Sequence, residues 1–149
     1  MKIITNHFGE LQIPDENIIL FENGIPGFTE YTQYVIINDE EENSPFCWLQ
    51  SIEEPELAFA LVNPFLVHDN YNPNLPKSEV EKLGEGTEED YSILSIVIIP
   101  EDMEKMRANL MAPIVINLKT KKAMQIIIDG DDYPVKYYLF NQLQKKKAK

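Results

Sequence analysis

Side chains suited to nucleophilic chemistry are few in this sequence of 149 residues. The one cysteine, Cys47, lies in an apolar run, and a thiol buried in such surroundings is inert. The histidines are His7 and His68. Asp69 follows His68, as an orienting carboxylate would, but adjacent residues of an extended segment point to opposite sides. The residues therefore do not predict a Cys–His enzyme, which needs the base beside its nucleophile.

The acidic and glycine-containing segments also lack the spacing of a ligand site. Two isolated histidines and scattered carboxylates do not match zinc-ligand spacing, so no metal or other cofactor is expected. The segment Gly84–Thr87 is too short and too acidic to cradle phosphate. The run Glu40–Glu42 is typical of a solvated loop. A protein-binding module and a barrel that holds a small ligand in its mouth both stay open.

The elements that would position any site are predicted to be mainly β-strands. Short links predict antiparallel neighbours, and the segment from Pro76 to Leu83, stopped by Gly84, is the one convincing helix. The pattern predicts an all-β, mostly antiparallel, single-domain fold that is a small β-barrel with one short helix. The predicted strands are 2–6, 11–13, 17–21, 34–38, 45–51, 57–62, 91–99, 114–118, 123–128 and 133–138.

An uncharged stretch that cannot be a helix runs from Asn109 to Asn117. Pro113 would break a helix there, and the β-branched residues after it favour a strand. We expect this strand to be central in the core. A buried asparagine must place several hydrogen-bonding groups, so Asn109 and Asn117 are interpreted as structural hydrogen-bonding residues.

A second rigid feature is a turn in which Gly24 and Gly27 bracket Pro26. This composition predicts at least one positive φ. Phe28 and Tyr31 follow at a spacing of three residues. Their rings either pack on the core or form a partly exposed aromatic contact surface.

The formal net charge of −12 is unevenly distributed. Four of the last five residues are lysines, and without them nine basic residues stand against 25 acidic ones, a body charge of −16. Such a surface repels nucleic acid and attracts a basic protein. No apolar run approaches the roughly 20 residues of a membrane span, and no signal peptide is recognisable. We expect a cytoplasmic protein with a barrel domain at 1–142 and a basic, disordered tail at 143–149.

Several short segments, in one order and at one spacing, span most of the chain. In combination they resemble the flagellar assembly factor FliW family, with one departure at Arg107, where a small polar residue is expected. The segments are Phe21 with Gly24–Phe28, Pro45-Phe46 with Leu49–Ser51, Ala58-Phe59 with Asn63-Pro64, Tyr71, Asn109–Asn117, Gln125 and Tyr133.

The resemblance implies a β-barrel-like protein without enzymatic activity that binds flagellin in the cytoplasm. It also implies binding to CsrA, an RNA-binding regulator, so that CsrA no longer represses translation of flagellin mRNA. Export of flagellin would free the protein to capture CsrA, a partner switch set by mass action. Direct occlusion of RNA and coupling from a separate surface both stay open.

Candidate partner contacts are aromatic and acidic residues in or beside loops. For each of them, packing or solubility is the alternative role. The candidates are Phe28, Tyr31, Phe65, Tyr71, Asp69, Asp90, Glu101 and Asp102.

Overall fold

The architecture is mostly β. The computed structural model describes residues 1–147, with side chains up to residue 144. Its strands are β1 (Lys2–Thr5), β2 (Gly9–Gln12), β3 (Ile19–Leu20), β4 (Gln33–Asn38), β5 (Phe46–Ser51), β6 (Ala58–Val62), β7 (Tyr91–Ile98), β8 (Arg107–Ala108), β9 (Ile114–Asn117), β10 (Lys122–Gln125) and β11 (Tyr137–Tyr138). Its α-helices are α1 (Pro64–Val67), α2 (Lys77–Glu81) and α3 (Phe140–Lys147).

Seven of the strands close into a barrel. Around the ring the order is β7-β6-β5-β4-β3-β10-β9, and β9 returns to pair with β7. All of these pairings are antiparallel except β3 with β10. The predicted fold class is therefore confirmed, and the short links between β5 and β6 and between β9 and β10 join antiparallel neighbours, as expected.

The barrel interior is filled by apolar side chains. Tyr34, Leu49, Leu61, Ile114 and Ile116 come from four different strands, and each is at most 1% exposed. They form one continuous cluster, so the closed sheet encloses a packed core rather than a channel.

Strand β7 is apolar on both faces, as its alternation predicts. Leu94 and Ile96 pack against the interior cluster. Ile93 and Val97 pack on the outside, against the helices and the C-terminal segment. A strand that is buried on both faces has to be apolar on both, and the outside of the barrel must consequently be covered.

Three pieces of chain cover the outside of the barrel. The hairpin β1–β2 places Ile3 against Val35 on β4. Leu83, which follows α2, packs on Val115 of β9. On the face of β6 and β7, α1, the segment 133–139 and α3 form a further apolar cluster that includes Leu139.

The described residues contain three α-helices rather than the single one predicted. The additional helix α1 begins where Asn63 Oδ1 accepts the Phe65 N–H (3.0 Å), with Pro64 at the first helical position. The additional helix α3 runs across the predicted boundary at residue 142, because Leu143 packs against the outer core cluster. Residues 148 and 149 of the predicted tail lie outside the described residues. None of the described helices has the length and apolar character to span a bilayer.

The uncharged stretch that begins at Asn109 is a loop followed by a strand. Asn109 Oδ1 accepts the N–H groups of Met111 (3.1 Å) and Ala112 (3.0 Å), which turns the chain away from the sheet after β8. Pro113 is buried, and its carbonyl accepts the Ile126 N–H (2.9 Å). Only the residues after the proline form β9, so the strand is shorter than the uncharged stretch.

Asn117, at the end of β9, is completely buried and makes four hydrogen bonds. Its Nδ2 donates to the carbonyls of Leu83 (3.1 Å) and Glu85 (3.0 Å). Its Oδ1 accepts the N–H groups of Lys119 (2.9 Å) and Thr120 (3.1 Å). The amide therefore fastens two loops to the end of the barrel strand.

Candidate partner-binding surface

The turn before β4 is held by glycine stereochemistry. Gly24 and Gly27 have φ values of +69° and +90°. A Cβ on Gly24 would lie 2.5 Å from Thr29 Cα, so this position has no space for a side chain. Ile25 and Phe28 form an antiparallel bridge around Pro26, with the Phe28 N–H donating to the Ile25 carbonyl at 2.7 Å. This rigid turn fixes where the Phe28 ring leaves the backbone.

Phe28 and Tyr31, both candidate contacts, share one shallow depression of about 340 Å³ with Leu57 and nearby glutamates. The Phe28 ring is 37% exposed and lies edge-on to Phe59, with the ring centroids 5.3 Å apart. Partial burial and the carboxylates of the depression, Glu54 first among them, raise the pKa of Tyr31. The two rings therefore form an aromatic patch in negatively charged surroundings.

Phe65 of α1 lies together with Asp69 and Tyr71, which follow the helix, in a different part of the surface. Phe65 is 47% exposed, and its ring centroid is 5.4 Å from that of Tyr71. Tyr71 itself is only 4% exposed, and its hydroxyl donates to the Leu110 carbonyl at 2.7 Å. Asp69 is exposed and adds to the effect of burial in raising the pKa of Tyr137. Burial argues against Tyr71 as a direct contact and gives it a structural role.

The remaining acidic candidates differ in the hydrogen bonds that their carboxylates accept. Asp90 Oδ2 accepts the Thr87 N–H at 2.8 Å and closes a short 3₁₀ turn, so this carboxylate has a structural partner. Asp102 Oδ1 accepts the Glu104 N–H at 3.1 Å, which caps the next 3₁₀ turn. Glu101 is exposed. Asp102 and Glu101 are therefore the surface charges of this group, and Asp102 also stabilises its turn.

An apolar groove with an acidic edge, absent from the candidates named from the sequence, lies between the loop after β4, α1, the turn at Met103 and α3. It has a volume of about 660 Å³. Leu66 and Met103 line it and are 47% and 49% exposed, while Asp39 and Glu41 lie at its edge. We call it the acidic groove. It shares no lining residue with the depression at Phe28 and Tyr31.

Two signals in the sequence point to parts of this groove. Asn63-Pro64 is a helix-start signal for α1, and the spacing of Phe140 and Leu143 fits one face of a short helix. The assembly of the groove from four separate segments has no signal in local periodicity. It depends on tertiary packing, which the sequence pattern does not express.

The described residues show neither an activated cysteine nor a metal-ligand cluster. Burial raises the pKa of the Cys47 thiol to about 11, so the thiolate is scarce at neutral pH. No group of three or more histidine, cysteine, aspartate or glutamate side chains in the described part of the chain could hold a metal ion.

Comparison with known proteins identifies the family. The family model described as FliW protein matches residues 2–139, which include the whole barrel. The chain belongs to the FliW family. A flagellar assembly factor FliW of Alkaliphilus metalliredigens is 44% identical over 145 residues, covering 97% of this chain and 90% of the relative. One of Caldicellulosiruptor saccharolyticus is 44% identical over 142 residues, covering 95% and 92%.

A solved structure agrees with this assignment. It is described as the crystal structure of the flagellar assembly factor FliW and matches with a TM-score of 0.84 at 35% identity, covering 94% of this chain and 97% of that chain. The FliW family model ends at residue 139, so α3 and its side of the acidic groove lie beyond the matched residues.

Proposed function

We propose that this FliW family member binds flagellin and CsrA in the cytoplasm and acts as a regulator without enzymatic activity. One pool of the protein serves both partners. When flagellin is abundant it occupies the pool, and CsrA is free to repress translation of flagellin mRNA. When flagellin has been exported, the protein sequesters CsrA and translation resumes, as mass action requires.

The observation that carries this proposal is the acidic surface of a family member whose relatives are flagellar assembly factors. The net charge is −12, and the four ion pairs seen among the described residues each engage one carboxylate. Most of the 25 carboxylates therefore have no basic partner in the described part of the chain. Such a field attracts the basic RNA-binding surface that CsrA must have and repels RNA from the complex.

The packed interior argues against the small-ligand alternative. The interior side chains form one packed cluster, and two open depressions lined partly by barrel strands have volumes of about 340 and 330 Å³. Cys47, whose pKa is raised by burial, lines the first depression, but in neither depression do several polar groups with shifted pKa values converge, as they do at a typical small-molecule site.

Isothermal titration calorimetry with purified flagellin and purified CsrA, each at physiological salt, tests the proposal. We expect both to bind, and a saturating amount of flagellin to lower the apparent affinity for CsrA. Binding of neither partner overturns the proposal. If both bind and flagellin leaves CsrA binding unchanged, the shared-pool part is wrong.

A further inference from the structure

We propose that the acidic groove binds an amphipathic helix of a protein partner, one whose apolar stripe is flanked by lysine or arginine. The proposal deepens the proposed function and rests on it in one respect, that the protein acts by binding other proteins. It names the chemistry of one contact rather than the identity of the partner.

The floor of the groove is suited to apolar side chains of a helix. Val67 and Met106 are almost fully buried, while Leu66 and Met103 are about half exposed and open to solvent. Phe46 and Leu143 of α3 add further apolar side chains to the lining. Methionine adapts its shape to different partners, and helices place apolar anchors at i, i+3, i+4 and i+7 into such grooves.

The charge of the edge selects a basic partner. The loop after β4 carries four consecutive acidic residues, Asp39–Glu42, of which Asp39, Glu41 and Glu42 line the groove. On the other side, Met103 lies between Asp102 and Glu104 in the chain, and a single lysine follows at 105. Lysine or arginine beside the apolar stripe would meet carboxylates along this edge.

The loop that carries this charge is held in place. Asp39 accepts the Glu41 N–H at 3.1 Å and the Ser44 hydroxyl at 2.8 Å. These bonds lower the pKa of Asp39, so its carboxylate is charged throughout the neutral range. No ion pair among the described side chains engages the acids of this loop.

The probe for the test is a labelled helical peptide of about 16 residues, with leucines at i, i+3, i+4 and i+7 and lysines beside them. Fluorescence anisotropy with the full chain gives its affinity. Two control peptides have the same length: one is scrambled to destroy the apolar stripe, and one replaces lysine by glutamate. We expect both controls to bind at least about tenfold more weakly, because a helix-in-groove contact needs its apolar anchors and its charge complementarity together. No binding of the lysine peptide, or equal binding of the scrambled one, overturns the proposal.

Matched variants locate the contact. The pair Leu66→Gln and Met103→Gln should weaken peptide binding by about tenfold, since each removes a half-exposed anchor. The control pair Leu118→Gln and Ile127→Gln removes exposed apolar residues that do not line the groove. It should leave binding unchanged within about twofold. Equal effects of the two pairs would place the peptide elsewhere and overturn the proposal.

A second matched set isolates the charge. Glu41→Lys with Glu42→Lys changes the edge of the groove, whereas Glu88→Lys with Glu89→Lys makes the same change in net charge at another exposed site. Only the first pair should weaken peptide binding, by about fivefold at low salt and less at high salt. Equal weakening by both pairs would show that peptide affinity depends on the net charge of the protein and not on the groove, and would overturn the proposal.

Two further experiments test whether the groove is occupied instead by the chain's own C-terminal segment or by a second copy of the protein. Replacing Lys145, Lys146, Lys147 and Lys149 by glutamine tests the chain's own C-terminal segment, which continues from Gln144 at the groove. A gain of about tenfold in peptide affinity would make that segment the occupant and overturn the proposal. A dimer in sedimentation analysis that is lost in the Leu66→Gln, Met103→Gln variant would make the occupant a second copy. Because the peptide assay uses neither flagellin nor CsrA, its failure is distinct from failure of the proposed function.

Discussion

Replacing Asn117 by alanine should cost about 2–3 kcal/mol of the free energy of unfolding. Its four hydrogen bonds are each worth about 0.5–1.5 kcal/mol net. The sum is reduced because the Leu83 carbonyl keeps a second donor, Thr120 Oγ1 at 2.7 Å. The N–H groups of Lys119 and Thr120 belong to exposed residues and can bind water instead. The remaining loss of stability comes from the Glu85 carbonyl, which loses its hydrogen bond from Asn117, and from the cavity left by the smaller side chain.

Urea unfolding followed by the fluorescence of Trp48 measures this cost, since it is the single tryptophan of the chain. The m-value should not change if only stability is altered. Asn109→Ala is the matched control. It removes two partly exposed bonds and should cost about 1 kcal/mol.

A double-mutant cycle tests the shared acceptor. Thr120→Val removes the hydroxyl that would otherwise still satisfy the Leu83 carbonyl. With Asn117→Ala it should cost about 1 kcal/mol more than the sum of the single changes, because a buried carbonyl is then left unpaired. Additive costs, or an Asn117→Ala loss no larger than that of Asn109→Ala, would refute the reasoning.

Four further outcomes are expected. Gly24→Ala should lower the free energy of unfolding by about 2–3 kcal/mol and Gly27→Ala by about 1 kcal/mol. Both residues have positive φ, but only at Gly24 would the added Cβ collide with backbone atoms. Equal losses of stability in urea unfolding would contradict this. Tyr34→Phe should change stability at pH 7 by less than about 1 kcal/mol, since the buried hydroxyl has no hydrogen-bond partner among the described residues. Burial raises the pKa of Tyr34 to about 12 from an ordinary value of 10.0, so the folded state retains the proton and the free energy of unfolding falls as pH rises from 10 to 12. Tyr34→Phe should lessen that loss of stability. An alkaline unfolding curve that is unchanged by the substitution would count against this explanation. Glu101→Lys should slow CsrA association by about three- to tenfold at low salt and less at high salt. Asp102→Asn, which keeps the cap acceptor, should have a smaller effect. If stopped-flow measurements show that the association rate depends on salt as in the unmodified protein, electrostatic steering by these residues is refuted.

Much of the fold could be predicted from the sequence because the barrel strands have short apolar or alternating patterns that are typical of β-strands. Strand β7 is apolar on both faces and is buried on both. Helix α1 is harder to predict because Asn63-Pro64 directly follows the predicted strand 57–62, and asparagine before proline can end a strand as well as cap a helix. Helix α3 is harder to predict because the lysines at the C-terminus are typical of a disordered tail, whereas Leu143 packs on the core.

The candidate contacts were harder to predict because burial within loops has no period. Tyr71 and Phe65 are both aromatic residues near α1, yet the first is 4% exposed and the second 47%. The hydrogen bond from the Tyr71 hydroxyl reaches Leu110, far along the chain. Only the folded arrangement distinguishes an anchor that is available to a partner from one that is already used by the core.

The single parallel seam of the barrel has a kinetic consequence. Strands β3 and β10 meet through one register pair, Leu20 with Lys122, supported by the Leu20 N–H to Lys121 carbonyl bond at 2.8 Å. The Lys122–Glu22 ion pair at 2.8 Å adds a partly exposed contact across the same join. Because the joined segments are about a hundred residues apart, this closure carries a large loop entropy and should come late in folding. The seam should also be the first place where the native barrel opens, so slow hydrogen exchange should be lost earliest at the Leu20 amide.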